Sequence, residues 1–185
     1  MELYTDRLIL RPWKEDDADE LYKYAKNPDV GPIAGWPPHT SIEDSREIIR
    51  NVFSEPDTYA VVLKSNHKPV GCIGLMIGKY SNLDIEENEG EIGYWIGVPY
   101  WGQGLIPEAV RRIQQYGFEA CHLEKIWCAY FEGNMKSKRV QEKCGFQYHH
   151  TNKDIVWELM GDIRTEHVSC ITKEEWDSGR QSLRV

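Results

Sequence analysis

The pattern of apolar and polar residues along this chain predicts strands and helices that follow one another in mixed order. Short apolar or alternating runs predict strands over residues 7–13, 59–64, 69–77, 91–98, 125–131, 146–150 and 155–160. Apolar residues spaced three or four apart predict helices over residues 14–26, 41–53, 104–121 and 134–144. The resulting order, β-α-α-β-β-β-α-β-α-β-β, predicts an α/β fold with one mixed sheet in a single domain spanning residues 1–185.

Three connecting segments also carry local signals. Residues 31–39 are rich in glycine and proline and predict a loop, and residues 65–68 predict a hairpin turn. Residues 81–90 predict an acidic loop before the fourth strand. Ser41, with an aspartate three residues later, predicts the N-cap of the second helix.

The most informative segment is the strand-turn-helix connection at residues 95–109. Its turn contains Gly102 and Gly104, and Pro107 falls in the first helical turn, where a missing N–H costs little. Glycines let a backbone approach an anion closely, and the free N–H groups at a helix start attract phosphate. The same pattern is also typical of an ordinary tight connection, so the turn alone leaves both interpretations open.

Two familiar phosphate loops do not fit this turn. The P-loop requires a lysine directly after its last glycine, and none is present here. The dinucleotide-binding turn requires a third glycine where this chain has Pro107. An unrelated nucleotide-binding protein that uses such a turn is therefore disfavoured.

Composition narrows the class of protein further. The 185 residues carry a net charge of -8, which argues against nucleic-acid partners and is compatible with a cationic partner such as a protonated amine. No apolar run is long enough for a membrane span and no signal-peptide pattern is present, so we expect a cytoplasmic protein without a membrane partner. Five cysteines without a C-x-x-C pair and six histidines without ligand spacing predict no metal site.

Three segments together resemble a known family. Residues 90–96, 100–109 and 134–146 read GEIGYWI, YWGQGLIPEA and NMKSKRVQEKCGF. In this order and spacing they resemble the GNAT superfamily of N-acetyltransferases, particularly the RimJ/RimL type that acetylates protein N-termini. The resemblance implies a mostly antiparallel sheet flanked by about four helices, with a core at about 5–164 and a tail at 165–185.

The resemblance also implies acetyl-CoA as the co-substrate. It assigns the CoA pyrophosphate to main-chain amides of the glycine turn and the pantetheine arm to the strand before it. The cofactor-binding residues implied in this way are Ile96, Val98, Trp101, Gly102, Gln103, Gly104, Leu105, Ile106, Asn134 and Ser137. Relatives usually have glutamine or arginine at the position of Trp101, and glycine or alanine at that of Ile106. The basic residues Lys136, Lys138 and Arg139 either contact the ribose phosphate or form a solvated helix face.

Attack of an amine on a thioester needs a base, an oxyanion donor and help for the leaving thiolate. By resemblance, Glu91 is the candidate base, with a purely structural carboxylate as the alternative and Glu89 and His149 as weaker candidates. A backbone amide near Ile96 is the candidate oxyanion donor. Many relatives have a tyrosine at the position of Gln141, so Ser137 is the candidate to assist the departing sulfur.

The sequence leaves the amine acceptor open. Trp36 and His39, in the loop at 31–39, either form a wall of the acceptor pocket or pack between two helices. The acceptor is a peptide or protein N-terminus, or a small amine such as a polyamine, an amino sugar or an antibiotic. The absence of the usual tyrosine at Gln141 also fits a CoA-binding sensor without catalysis. Whether the protein forms a homodimer is left open as well.

Overall fold

One eight-stranded sheet organises the computed structural model, which describes residues 1–182. Its strands are β1 (Leu3–Tyr4), β2 (Leu8–Pro12), β3 (Thr58–Leu63), β4 (Pro69–Ile77), β5 (Glu89–Ile96), β6 (Lys125–Phe131), β7 (Gln147–Trp157) and β8 (Asp162–Thr172). The α-helices of the described residues are α1 (Ala18–Ala25), α2 (Gly31–Ala34), α3 (Ile42–Asn51), α4 (Leu105–Glu119), α5 (Met135–Lys143) and α6 (Lys173–Ser182). The last three residues of the predicted domain lie outside the described part.

The strands follow the spatial order β1-β2-β3-β4-β5-β6-β8-β7. Neighbours are antiparallel except for β5 and β6, which run parallel. Helix α1 packs on α3 and β4 around a cluster that includes Trp13, Leu21 and Ile49. Helix α4 lies with α5 in the main core, which confirms the predicted mixed, mostly antiparallel sheet with helices beside it. No helix within residues 1–182 is long and apolar enough to cross a membrane.

Helix α4 shows how the sequence pattern becomes packing. Its residues Ile106, Ala109, Val110 and Ile113 recur at helical spacing and are almost completely buried. Full burial of one large aliphatic side chain stabilises a fold by roughly 1.5–3 kcal/mol. This stripe fastens the helix to the sheet and thereby fixes the turn that precedes it.

The C-terminal part of the sheet differs from the prediction. Residues 146–150 and 155–160 were predicted as separate strands, but residues 147–157 form the single strand β7, whose register shifts twice, and residues 158–160 lie in a turn. The break was predicted because residues 151–154 are polar, and Asp154 does have a positive φ of 56°. The strand β8 was not predicted, because polar residues interrupt its pattern on both faces. It lies between β6 and β7, so the predicted core boundary at residue 164 falls inside a strand with neighbours on both sides.

Two smaller differences concern the loops. The predicted loop at 31–39 contains the one-turn helix α2, which ends at Gly35 with a left-handed φ of 97°. Strand β5 begins two residues earlier than predicted and ends at Ile96, since Val98–Tyr100 forms a turn of 3-10 helix.

The parallel pair β5 and β6 produces the main opening of the fold. Register pairs join these strands only from Glu89 and Lys125 to Glu91 and Trp127 within the described residues. Beyond that point the strands separate, since β6 continues with β8 as its partner while β5 continues with β4. The sheet is therefore split at its centre, and main-chain groups line the gap.

Candidate active site

A cavity of about 1380 Å³ occupies this split. Its walls come from the end of β5, the turn before α4, the start of α5, the short helix α2 and the start of β8. A second cavity of about 160 Å³ lies deeper between β5 and β6 and shares Tyr94, Asn134 and Ser137 with the first. The two cavities meet where the strands diverge.

The turn before α4 presents unpaired main-chain donors at one end of the larger cavity. Within the described residues, the amides of Gly102, Gln103, Gly104, Leu105 and Ile106 donate to no hydrogen bond. Gly102 and Gly104 each have a φ of 74°, and a Cβ on Gly102 would meet nothing within 4 Å. Glycine is thus required here for its left-handed conformation rather than for space. The helix start adds a partial positive charge, so the turn is suited to an anion.

Side chains behind the turn hold its shape. The Arg7 guanidinium donates to Glu108 Oε2 at 2.6 Å and to the Gln103 carbonyl at 3.0 Å. The Gln103 side chain folds back and donates to the Pro99 carbonyl at 2.8 Å. Gln103 and Val98 are not among the described residues that line the cavity, and the contact with Pro99 turns the Gln103 side chain back toward its own loop.

Trp101 fastens the turn to β5. Its indole N–H donates to the Ile96 carbonyl at 2.9 Å. Lys136, from the first turn of α5, places its Nζ 4.1 Å from the centre of the Trp101 ring. Relatives have glutamine or arginine at this position. This chain has an aromatic ring there, and Lys136 from the other side of the cleft makes a cation–π contact with it.

The backbone of β5 offers further donors to the split. The Gly97 amide donates to the Val70 carbonyl at 2.9 Å, which fixes the hydrogen-bonding phase against β4. Because this phase alternates along an antiparallel pair, the amides of Ile92, Tyr94 and Ile96 point away from β4. The Ile92 amide faces the ladder with β6, which extends to Glu91 and Trp127, and the amides of Tyr94 and Ile96 face the gap. The Ile96 carbonyl accepts the hydrogen bond from the Trp101 indole. The N–H of Ile96 is therefore the group that remains as a donor at the position predicted for the oxyanion.

Glu91 lines the smaller cavity and is only 7% exposed. Its Oε2 accepts hydrogen bonds from Ser81 Oγ at 2.8 Å and from the Asn82 amide at 2.9 Å, so the loop at 81–90 holds the carboxylate in place. Burial raises the pKa of Glu91, these hydrogen bonds oppose the rise, and the nearby Glu166 carboxylate adds to it. A fixed carboxylate with a raised pKa can accept a proton from an amine.

The two weaker base candidates are engaged elsewhere. Glu89 accepts the Trp127 indole N–H at 2.7 Å and pairs with Lys125 at 3.1 Å. Burial would raise the pKa of Glu89, but these donors outweigh it and the pKa is lowered. His149 contacts His150 Nδ1 at 2.8 Å and packs on Trp127, and it lines neither cavity.

Ser137 lies in the first turn of α5, where the two cavities meet. Asn134 caps this helix, with its Oδ1 accepting the Ser137 amide N–H at 3.2 Å. The Ser137 hydroxyl contacts the Tyr94 hydroxyl at 2.9 Å and the Gln141 side-chain amide at 3.4 Å.

Tyr94 was missed by reasoning from the sequence. Alternation along β5 places it on the face of Ile92 and Ile96, and that signal was available, but nothing indicated that α5 would lie opposite.

The structure does not bring Trp36 or His39 to either cavity wall. The Trp36 ring packs beneath Trp95, with ring centres 5.5 Å apart, and His39 Nδ1 contacts Ser45 Oγ at 2.8 Å. Helix α2 lines the cavities instead, through Ile33 and Ala34. Beside it, the Trp157 indole N–H donates to the Gly35 carbonyl at 2.7 Å, which joins β7 to α2.

No group of three or more histidine, cysteine, aspartate or glutamate side chains within residues 1–182 is arranged to hold a metal ion.

Residues 7–147 match the family model described as the acetyltransferase (GNAT) domain, and this chain belongs to that family. It is 29% identical over 150 residues to an N-acetyltransferase of Bacillus licheniformis described as uncharacterized and called p20, covering 78% of this chain and 82% of that protein.

Solved structures share the fold. A GNAT-family acetyltransferase from Bacillus anthracis superimposes with a TM-score of 0.81 at 24% identity, covering 94% of this chain and 99% of that one. A ribosomal-protein-S5-alanine acetyltransferase from Vibrio fischeri superimposes with a TM-score of 0.72 at 21% identity, covering 95% and 98%.

Membership in this family makes the protein an acetyltransferase and implies acetyl-CoA as its co-substrate. The residues present fit that molecule, because five unpaired amides at a helix start suit a diphosphate and the gap beside β5 offers amides to an extended chain.

Proposed function

We propose that this protein transfers the acetyl group of acetyl-CoA to the N-terminal amine of a protein or peptide, through direct attack of the amine. This proposal rests on the observation that two chemically different sites lie in one connected cleft. An anion-binding turn at one end of the split leads to a buried carboxylate, Glu91, and a hydroxyl, Ser137, at the other.

On the co-substrate side, the main chain supplies most of the binding. The amides of residues 102–106 hold the pyrophosphate, and the β5 amides pair with the pantetheine arm. Lys136 adds a cation beside the turn, since its Nζ already lies over Trp101. When bound, the co-substrate supplies an activated acetyl thioester.

On the amine side, Glu91 accepts the proton that the attacking nitrogen loses. Its raised pKa favours this role, because a carboxylate matched more closely to the working pH is a better base. An α-amino group has a pKa of about 8, so a useful fraction of a peptide N-terminus is already neutral. The Ile96 amide stabilises the negative charge that develops on the acetyl oxygen.

The acceptor side favours a polypeptide over a small amine. The hairpin of β7 and β8 exposes Val156 and Ile163 at 69% each and Leu159 at 64%, and Ile163 also lines the larger cavity. Asp29, just before α2, and Glu132, just after β6, line the same cavity and suit a cationic segment, since the Arg164 guanidinium there is paired with Asp162 at 2.8 Å. A structural relative from Vibrio fischeri is described as acting on a ribosomal protein, which agrees with this choice.

A turnover assay tests the proposal. Release of free thiol from acetyl-CoA is measured with a panel of N-terminal peptides, the same peptides with blocked N-termini, polyamines and aminoglycosides. We expect kcat/KM for the best free peptide to exceed that of the small amines by about a hundredfold, equivalent to roughly 2.7 kcal/mol of transition-state binding. Equal or greater efficiency with a polyamine or an aminoglycoside would replace the peptide by a small amine as the acceptor.

A further inference from the structure

We propose that Tyr94 and Gln141 are positioning residues that make Ser137 a dedicated hydrogen-bond donor to the leaving sulfur. This inference rests on the proposed function and assigns a role to two residues that otherwise have none. It also accounts for the glutamine that stands where many relatives have a tyrosine.

The first support is the set of partners around the Ser137 hydroxyl. A serine oxygen has one hydrogen to donate and two lone pairs that can accept. The Tyr94 hydroxyl lies 2.9 Å from Ser137 Oγ and 3.2 Å from the Ser137 carbonyl, and it also interacts with the Cys128 thiol. The side-chain amide of Gln141 donates to Ser137 Oγ at 3.4 Å.

The donor directions around Ser137 Oγ follow from the chemistry of its partners. An amide nitrogen can only donate, so Gln141 occupies one lone pair of Oγ, whereas either hydroxyl can be the donor between Tyr94 and Ser137. When Tyr94 is the donor, both lone pairs of Oγ are occupied, and the Ser137 hydrogen is free for a ligand in the cavities that Ser137 lines. The departing sulfur must pass through the junction of these cavities, because the amide-lined gap and Glu91 meet there.

The surroundings of Tyr94 keep it in its donor form. Tyr94 is partly buried beside the buried Cys128, and the loss of solvent around its hydroxyl raises its pKa well above the ordinary value for tyrosine. Tyr94 therefore stays protonated and does not itself supply the proton to the thiolate.

The second support is the unusual state of Gln141, which is only 2% exposed. Its Oε1 is one of two buried side-chain atoms without a hydrogen-bond partner within the described residues. Burying an amide oxygen without a partner typically costs about 1–3 kcal/mol. The observed orientation leaves Oε1 unpaired but directs the side-chain nitrogen of Gln141 to Ser137. This is consistent with a requirement for a hydrogen-bond donor at Ser137.

The step balances without any further reactant. The amine nitrogen forms a bond to the acyl carbon and passes its proton to Glu91 and then to solvent. The bond from the acyl carbon to sulfur breaks with its electron pair on sulfur, and Ser137 donates a hydrogen bond to the developing thiolate while retaining its proton. The thiolate later takes a proton from solvent.

The experiment compares Tyr94→Phe, Ser137→Ala and the double variant in the full-length chain. We expect each single variant to lower kcat at least about tenfold, as loss of a transition-state donor does, with the dissociation constant of CoA within about twofold of the wild type. Because Tyr94 acts through Ser137, the double variant should lose no more than Ser137→Ala alone.

Tyr59→Phe is the matched control. It also removes a hydroxyl that donates a hydrogen bond, to Asp57 at 2.7 Å, but it lies on β3 and lines neither cavity. It should lower the melting temperature while leaving kcat unchanged, which separates loss of stability from loss of positioning.

Unchanged kcat in Tyr94→Phe, or losses that multiply in the double variant, would overturn this inference while the proposed function stands. A wild-type protein that acetylates none of the amines in the panel would overturn both.

Discussion

The two ends of the central split recognise their ligands by different means. At the turn before α4, unpaired main-chain amides are the principal donors, and the side chains of Arg7, Gln103 and Trp101 hold the loop in shape. At the other end, side chains from α2, β5, α5 and β8 converge from distant parts of the sequence. A main-chain site depends on a few glycines and a helix start, whereas a side-chain site can change one residue at a time without altering the fold. The first end is therefore suited to a constant co-substrate and the second to a variable acceptor.

The most severe test of this contrast is Gly104→Glu. A side chain at a φ of 74° is strained, and a carboxylate beside the unpaired amides would repel phosphate. We expect the CoA dissociation constant to rise at least a hundredfold by calorimetry, which corresponds to roughly 2.7 kcal/mol.

Two controls separate the causes of that loss. Gly104→Ala introduces the strain without the charge and should weaken CoA far less. Gly161→Glu introduces both at another glycine of positive φ, 66°, in the turn between β7 and β8, and should leave CoA affinity unchanged. Normal CoA binding by Gly104→Glu would show that the amides of this turn do not hold the diphosphate.

The next largest effect is expected at Glu91. Glu91→Gln should lower kcat by about a hundredfold or more, as removal of a general base does, and should leave CoA affinity unchanged. The matched variant Glu89→Gln removes a carboxylate that is already paired with Lys125 and Trp127, and it should retain most of the activity.

The pH profile gives an independent check on the same residue. Only ionised Glu91 can accept a proton, so the rate should fall as the pH drops through its pKa, which burial raises above the ordinary range for glutamate. That acidic limb should disappear in Glu91→Gln. An identical limb in the variant would assign the base to another group.

A smaller and selective effect is expected at the exposed hairpin. Val156→Lys places a cation on an apolar surface proposed to receive a peptide, and it should lower kcat/KM for peptides by about tenfold, or 1.4 kcal/mol. Activity toward any small amine and the affinity for CoA should not change. Tyr148→Lys, at a side chain 66% exposed on the same strand, is the control. If Val156→Lys lowered kcat/KM equally for peptides and for small amines, the peptide would not bind on this hairpin.

The smallest effect is expected at Lys136. Lys136→Met should weaken CoA by about threefold to tenfold, since a partly exposed cation contributes modestly to binding a phosphate. Lys138→Met, on the same helix but paired with Glu142, should have no effect. If both variants bind CoA like the wild type, the contact of Lys136 with Trp101 serves only the unliganded protein.

The same contrast decides what could be read from the sequence. The glycine turn, helix α4 and strand β5 were predicted closely, because periodicity and the conformational demands of glycine leave local signals. Strand β8 was not, because its polar residues, Glu166 among them, face a cavity rather than solvent or core. The pairing of Tyr94 with Ser137 joins residues 43 positions apart and depends on the placement of α5, which no local pattern specifies. Trp36 and His39 were chosen for their chemistry, but they pack beneath Trp95 and against Ser45.

The link between Arg7 and Glu108 has a consequence for how the protein is made. It ties two residues 101 positions apart, so the loop before α4 cannot reach its final shape until both have left the ribosome and met. Fragments that begin after Arg7 should retain most of the sheet yet leave this loop mobile. Shortening the amino terminus by seven residues would then reduce coenzyme affinity through the lost shape of this loop.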